Sequence, residues 1–237
     1  MTTALNVTTH SFTDCHALAM ALAERVAERL RAGLLERDGA LLAVSGGRTP
    51  LHFFELLARM SLDWSRVQVT LVDERWVDEN DPRSNARLVR EHLLRDAAAA
   101  ARFVPLYTGA ATPEQGQPEA DRRLRALPLP FDAVILGMGL DGHTASFFPG
   151  GDQLAAALDP HQPPGVLPMR APGAGEPRIT LTLPSLLATR QLFLHIEGED
   201  KREVLADAHL GLGNAAHYPV RAVLKASPVP VAVYWCP

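Results

Sequence analysis

Leucine or valine returns every fourth residue near the amino end of the chain, at Leu18, Leu22, Val26, Leu30 and Leu34, with Glu24, Arg25, Glu28 and Arg31 off that line. This spacing predicts an amphipathic helix over 14–35, with Thr13 or Asp14 capping its first turn. Short apolar runs at 40–44, 67–72, 133–136, 191–196 and 229–235, and an alternating run at 178–183, predict strands. Helices are predicted over 51–60, 84–94 and 199–210, and a short helix or turn over 219–224. At 103–107 a strand is restricted to an edge by Pro105, and 113–126 reads as a loop followed by a short helix. Strand alternating with helix predicts the α/β class: a mostly parallel sheet with helices on both faces.

A proline- and glycine-rich segment at 149–177 interrupts this alternation. It holds only a helical hint at 152–158 and a possible strand at 166–170. A loop of that length in a compact domain points to a lid or binding loop. The length, 237 residues, fits one domain over 1–237.

Composition narrows the function classes. A net charge of −4 gives no basic face for nucleic acid. No apolar run is long enough for a membrane helix, and the first ten residues lack the pattern of a secretory signal. Cys15 and Cys236 are too few for a disulfide framework or a metal knuckle, and they fit a reducing cytoplasm. Only two of the 23 basic residues are lysines, Lys201 and Lys225. Lys201 falls in the first turn of a predicted helix, where a cation opposes the helix dipole unless an anion is near.

The candidate chemistry sits at strand ends. After the run at 133–136 come Gly137, Gly139 and Gly142, then His143, Thr144 and Ser146, with Asp141 between the last two glycines. Glycine allows positive φ and close approach of backbone to a ligand, so this turn can deliver Asp141 and His143 to one point. After the run at 40–44, Ser45-Gly46-Gly47-Arg48-Thr49-Pro50 reads as a turn into a helix N-terminus. That arrangement offers free N–H groups, hydroxyls and a charge to an anion. Asp73, Glu74 and Arg75 close the run at 67–72. They fit either a role beside the Ser45 loop or a solvated strand end with an acid paired to Arg75.

Other chemistries find less support. Gly137-x-Gly139-x-x-Gly142 matches the dinucleotide fingerprint in form, but no acid follows on a next strand. The nine histidines show no metal-ligand spacing, and a G-x-S-x-G elbow is absent. His195 reads as a core or strand-surface residue, and His16 and His52 as surface residues. What remains is acid–base work on a small phosphorylated molecule without a cofactor.

Val-Ser-Gly-Gly-Arg-Thr-Pro at 44–50, Val-Asp-Glu-Arg-Trp at 72–76 and Ser-Asn-Ala-Arg-Leu from Ser84 resemble motifs of the 6-phosphogluconolactonase family. So do the stretch at 135–150, Arg-Ile-Thr-Leu-Thr-Leu-Pro from Arg178 and Ile-Glu-Gly-Glu-Asp-Lys from Ile196. They stand in the family's order. The resemblance implies hydrolysis of 6-phospho-D-glucono-1,5-lactone, a Rossmann-like fold shared with glucosamine-6-phosphate deaminase and ribose-5-phosphate isomerase, and no metal. It implies that His143 is the general base and that Asp141 holds the loop or the imidazole. Ser45, Gly46, Gly47, Arg48, Thr49, Asp73, Arg75, Gly139, Lys201 and Arg178 are the candidate binding residues for phosphate and sugar oxygens. A deaminase of this family carries Asn-Glu-Pro after its histidine, where this chain has Thr-Ala-Ser. A non-catalytic sugar-phosphate module would carry a DNA-binding segment ahead of the first long helix, for which there is no room before Asp14.

Overall fold

The computed structural model describes residues 5–237. In chain order the elements are β1 (Val7–Ser11), α1 (Cys15–Glu36), β2 (Ala40–Val44), α2 (Leu51–Leu57), β3 (Val67–Leu71), β4 (Asp73–Arg75), α3 (Asn85–His92), β5 (Arg102–Val104) and α4 (Pro113–Arg125). These are followed by β6 (Ala133–Leu136), α5 (Leu154–Ala157), β7 (Val166–Met169), β8 (Arg178–Leu181), α6 (Leu183–Leu187), β9 (Leu192–Glu197), α7 (Glu199–Leu210), α8 (Pro219–Ala226) and β10 (Val231–Cys236).

Seven strands form one parallel sheet in the order β1-β10-β9-β6-β2-β3-β5. Its central members β2 and β6 are buried at every residue, as expected of strands covered on both faces. From β1 through β2 and β3 to β5 the chain steps toward one edge, and through β6, β9 and β10 it steps back. With right-handed crossovers, α1, α2 and α3 cover one face, and α4, α7 and α8 cover the other. Accordingly α1 packs on α2, and α7 packs on α8. The chain therefore leaves neighbouring strands β2 and β6 toward opposite faces. The crevice between their carboxyl ends is where open α/β sheets bind ligands.

Local chemistry explains the main elements. The α1 stripe is buried at Leu18, Leu22, Val26 and Leu30, and interleaved Ala19, Ala23 and Ala27 let the helix lie close to the sheet. Asp14 caps it by accepting from the Ala17 N–H at 2.8 Å. At the amino end of β6, fully buried Asp132 accepts from Arg37 Nη2 at 2.6 Å and from the Leu41 N–H at 2.7 Å. That clamp joins α1, β2 and β6.

Several expectations change. The stretch at 113–126 is one 13-residue helix, because Thr112 caps it and Pro113 starts it, while Pro118 still lies in its early turns. Helix α2 ends at Leu57, short of residue 60. β1 is a strand on the sheet edge that apolar patterning misses, since four of its five residues are exposed. In the segment at 149–177 the helical hint and the strand stand as α5 and β7, and what is new is that β7 pairs with β8 in a second, antiparallel sheet ordered β4-β8-β7.

Candidate active site

The loop after β6 is built around a carboxylate–imidazole pair. His143 Nδ1 lies 2.6 Å from Asp141 Oδ1, and the same oxygen accepts the His143 backbone N–H at 3.1 Å. A carboxylate acceptor fixes the ring proton on Nδ1 and leaves Nε2 as the free acceptor. The ring also stacks on Phe148, with centroids 4.3 Å apart. Partial burial pushes the Asp141 carboxyl up, but the hydrogen bonds and charge of His143 outweigh it and hold the group below its ordinary range. Asp141 therefore stays ionised beside an imidazole that accepts protons through its outer nitrogen.

The glycines of this loop do different jobs. Gly142 has positive φ, 74°, as a tight turn requires. Gly137 and Gly139 do not have positive φ, so the expectation of conformational freedom fails at those two. Gly139 supplies space instead: a Cβ there would stand 2.2 Å from His143 Nδ1 and 2.6 Å from Asp141 Oδ1. Thr144 Oγ1 donates to the Gly137 carbonyl at 2.7 Å, and buried Ser146 donates to Asp73 Oδ2 at 2.5 Å. Both hydroxyls are thereby committed to holding the loop. Ala145 between them has positive φ, 47°, an uncommon conformation for a residue with a side chain.

Across the crevice, the loop after β2 runs Ser45 to Pro50. Among the described residues, no protein acceptor takes the N–H groups of Gly46, Gly47, Arg48 or Thr49. Thr49 Oγ1 accepts from Lys201 Nζ at 3.4 Å, which joins this loop to the first turn of α7. Gly46 is tight against Asn85, whose Oδ1 would be 1.8 Å from a Cβ.

The third wall is the small antiparallel sheet. Arg75 and Arg178 are register partners on β4 and β8. Arg178 is buried, donates through Nη2 to the Ala174 carbonyl at 2.6 Å, and lies 5.5 Å over the Phe148 ring. Burial pulls its guanidinium below the ordinary range, with the Asp73 charge opposing. Burial likewise pulls the Lys201 ammonium down, with Glu197 opposing. Both cations are thus held where a bound anion would offset their lost hydration. Four cationic side chains, Arg48, Arg75, Arg178 and Lys201, line a cavity of about 400 Å³ with His143, and Asp73 is the acid on its wall.

All of the candidate binding residues border this cavity: Ser45, Gly46, Gly47, Arg48, Thr49, Asp73, Arg75, Gly139, Arg178 and Lys201. His143 borders it too, while Asp141 stands behind the imidazole. The pairing of Asp73 or Glu74 with the Arg75 side chain is absent. Glu74 is buried and accepts from the N–H groups of Arg75, Asn85 and Ala86 and from the Ser84 hydroxyl, so it fastens the start of α3. The Arg75 side chain donates to the Arg83 carbonyl instead.

Sequence reading missed Asn85, Met138, Phe148, Gly173 and His195 on the cavity wall. Asn85 and Phe148 fall within motif stretches, where their position was the available signal. No sequence signal marks Gly173. His195 is a core residue as expected, with Nε2 3.1 Å from Glu197 Oε1, but its ring also reaches the cavity. His16 and His52 are exposed as expected, yet their rings meet at 2.8 Å. Among the described residues, no helix is long and apolar enough to cross a membrane.

Residues 13–235 match the model of a family described as glucosamine-6-phosphate isomerases/6-phosphogluconolactonase. A 6-phosphogluconolactonase of Rhizobium meliloti is 54% identical over 228 residues, covering 96% of this chain and 98% of the relative. One from Pseudomonas aeruginosa is 48% identical, covering 92% and 90%. The crystal structure of a 6-phosphogluconolactonase from Shewanella baltica superposes with a TM-score of 0.92 at 41% identity, covering 98% of each chain. A monomeric glucosamine-6-phosphate deaminase shares the fold at 17% identity and a TM-score of 0.77. The chain belongs to the glucosamine-6-phosphate isomerase/6-phosphogluconolactonase family.

Proposed function

We propose that this chain hydrolyses 6-phospho-D-glucono-1,5-lactone to 6-phospho-D-gluconate, with His143 as the general base. The observation that carries the assignment of the base is the pairing of Asp141 Oδ1 with His143 Nδ1 at 2.6 Å beside a cation-lined cavity. His143 Nε2 takes a proton from water as the water oxygen attacks the lactone carbonyl carbon. The ionised Asp141 orients the ring and stabilises the imidazolium that forms. When the tetrahedral intermediate collapses, the bond from the carbonyl carbon to the ring oxygen breaks. The imidazolium returns its proton to that oxygen as it leaves.

The phosphate is bound where Arg48, Thr49, Lys201 and the free N–H groups of the Ser45 loop converge. Arg75 and Arg178 supply the opposite cationic wall. The curated relatives that cover nearly the whole chain carry the lactonase name. Between His143 and Phe148 stand only Thr144, Ala145, Ser146 and Phe147, so no acid follows the histidine to open a sugar ring as a deaminase requires. A phosphorylated sugar substrate and two unpaired thiols fit a reducing cytoplasm.

The test is loss of freshly prepared 6-phosphogluconolactone, followed against its spontaneous hydrolysis. Wild-type protein accelerates it, and His143→Ala lowers kcat by about 10²–10⁴ without loss of folding. An unchanged rate in the variant would overturn the assigned base. Ammonia release from glucosamine 6-phosphate would instead identify a deaminase, and binding without turnover a sugar-phosphate sensor.

A further inference from the structure

Glu197 and Cys236 close the parallel strands β9 and β10 and are register partners, so their side chains share one face of the sheet. Cys15, the first residue of α1, comes over that face, with its thiol 3.9 Å from the Pro237 carbonyl. Cys15 Sγ, Cys236 Sγ and a Glu197 carboxylate oxygen all lie within 4.8 Å of one another. Cys236 is buried, while Cys15 and Glu197 are half-buried and leave an approach from solvent. We propose that Cys15, Cys236 and Glu197 bind a thiophilic divalent cation of the zinc class, with water as a fourth ligand.

Zinc–sulfur bonds of about 2.3 Å and zinc–oxygen bonds of about 2.0–2.2 Å set tetrahedral ligand atoms about 3.5–4 Å apart. The three atoms therefore need to close by about 1.3 Å at most to meet that geometry. Two thiolates select a soft or borderline ion over magnesium or calcium. Binding a cation there releases the two thiol protons. The carboxylate is what separates this arrangement from a simple disulfide, which has no use for it. Glu197 also holds His195, which borders the substrate cavity, so the cation stands directly behind that wall.

Cobalt(II) titrated into the reduced full-length protein tests this. The expected result is a thiolate-to-cobalt charge-transfer band that saturates at one ion per chain and is bleached by zinc. Half-exposed Cys15→Ser abolishes the band while lactone turnover stays unchanged. Glu197→Gln keeps the band and weakens binding by about tenfold or more. Cys15→Ser decides the matter alone if Cys236→Ser does not fold. Absence of the band, its persistence in Cys15→Ser, or cobalt held without it and lost in His52→Ala would each overturn the proposal. Thiols recovered only as a disulfide that binds no cobalt after reduction would overturn it too.

Discussion

Two aspartates flank the central strand β6 and do opposite work. Asp132, directly before the strand, is wholly buried, and Arg37 Nη2, the Leu41 N–H and Arg190 at 3.8 Å surround it. Asp141, in the loop beyond the strand, has an exposed side chain and spends its hydrogen bonds on His143. Both sites also depend on a missing Cβ. A methyl on Gly33 would stand 2.4 Å from Asp132, and one on Gly139 would stand 2.2 Å from the His143 ring. The same strand thus has a carboxylate that fixes the fold at its amino end and one that, in the proposed mechanism, organises proton transfer at its carboxyl end. What separates them is how completely their charge is answered by the protein: by several residues at Asp132, and by His143 alone, through its ring and its backbone N–H, at Asp141.

Substitutions that separate stability from turnover sharpen this contrast. The largest effect is expected of Arg37→Ala, which leaves the Asp132 charge buried with weaker partners and costs about 3 kcal/mol of stability. Denaturant unfolding measures it, and turnover per folded molecule stays unchanged. Gly139→Ala does the reverse. It displaces the imidazole or its carboxylate and lowers kcat by about 10², read from steady-state lactone hydrolysis, with little change in the unfolding midpoint.

The smallest effect concerns Lys201. Burial lowers its ammonium below the ordinary lysine range, so as pH rises the charge is lost earlier than on an exposed lysine. Affinity for 6-phosphogluconate therefore falls by about tenfold on the alkaline side, the worth of one charged hydrogen bond. Lys201→Arg keeps its cation and removes that fall. Calorimetric titration at several pH values reads the difference, and identical profiles would exclude Lys201 from the phosphate site.

How much of this was legible in the sequence depends on how local the information is. The α1 stripe and the buried runs at β2, β6 and β9 are set by neighbours within a few residues, and they read correctly. The glycine loops read correctly in place, because a strand end followed by glycine and polar residues announces itself in the chain, but not in the backbone conformation expected of Gly137 and Gly139. Glu74 did not read, because its partners are the backbone groups of α3 and not the adjacent Arg75 side chain. The antiparallel pairing of Arg75 with Arg178 joins segments far apart in sequence, and it alone turns two scattered arginines into one cationic wall. β7 was legible as a strand at 166–170, but its antiparallel pairing was not, because its partner β8 lies beyond the proline-rich segment. Cys15 and Cys236 meet only because β10 runs beside β9 under the start of α1.

A double-mutant cycle on His143 and Asp141 tests the central claim most directly, since that claim is that the carboxylate acts through the imidazole. Asp141→Asn alone lowers kcat for lactone hydrolysis by about ten- to a hundredfold. In a His143→Ala background the same substitution is expected to cost nothing further, because the group it orients is gone. A loss of equal size in both backgrounds would show that Asp141 acts independently of His143 and would contradict the account.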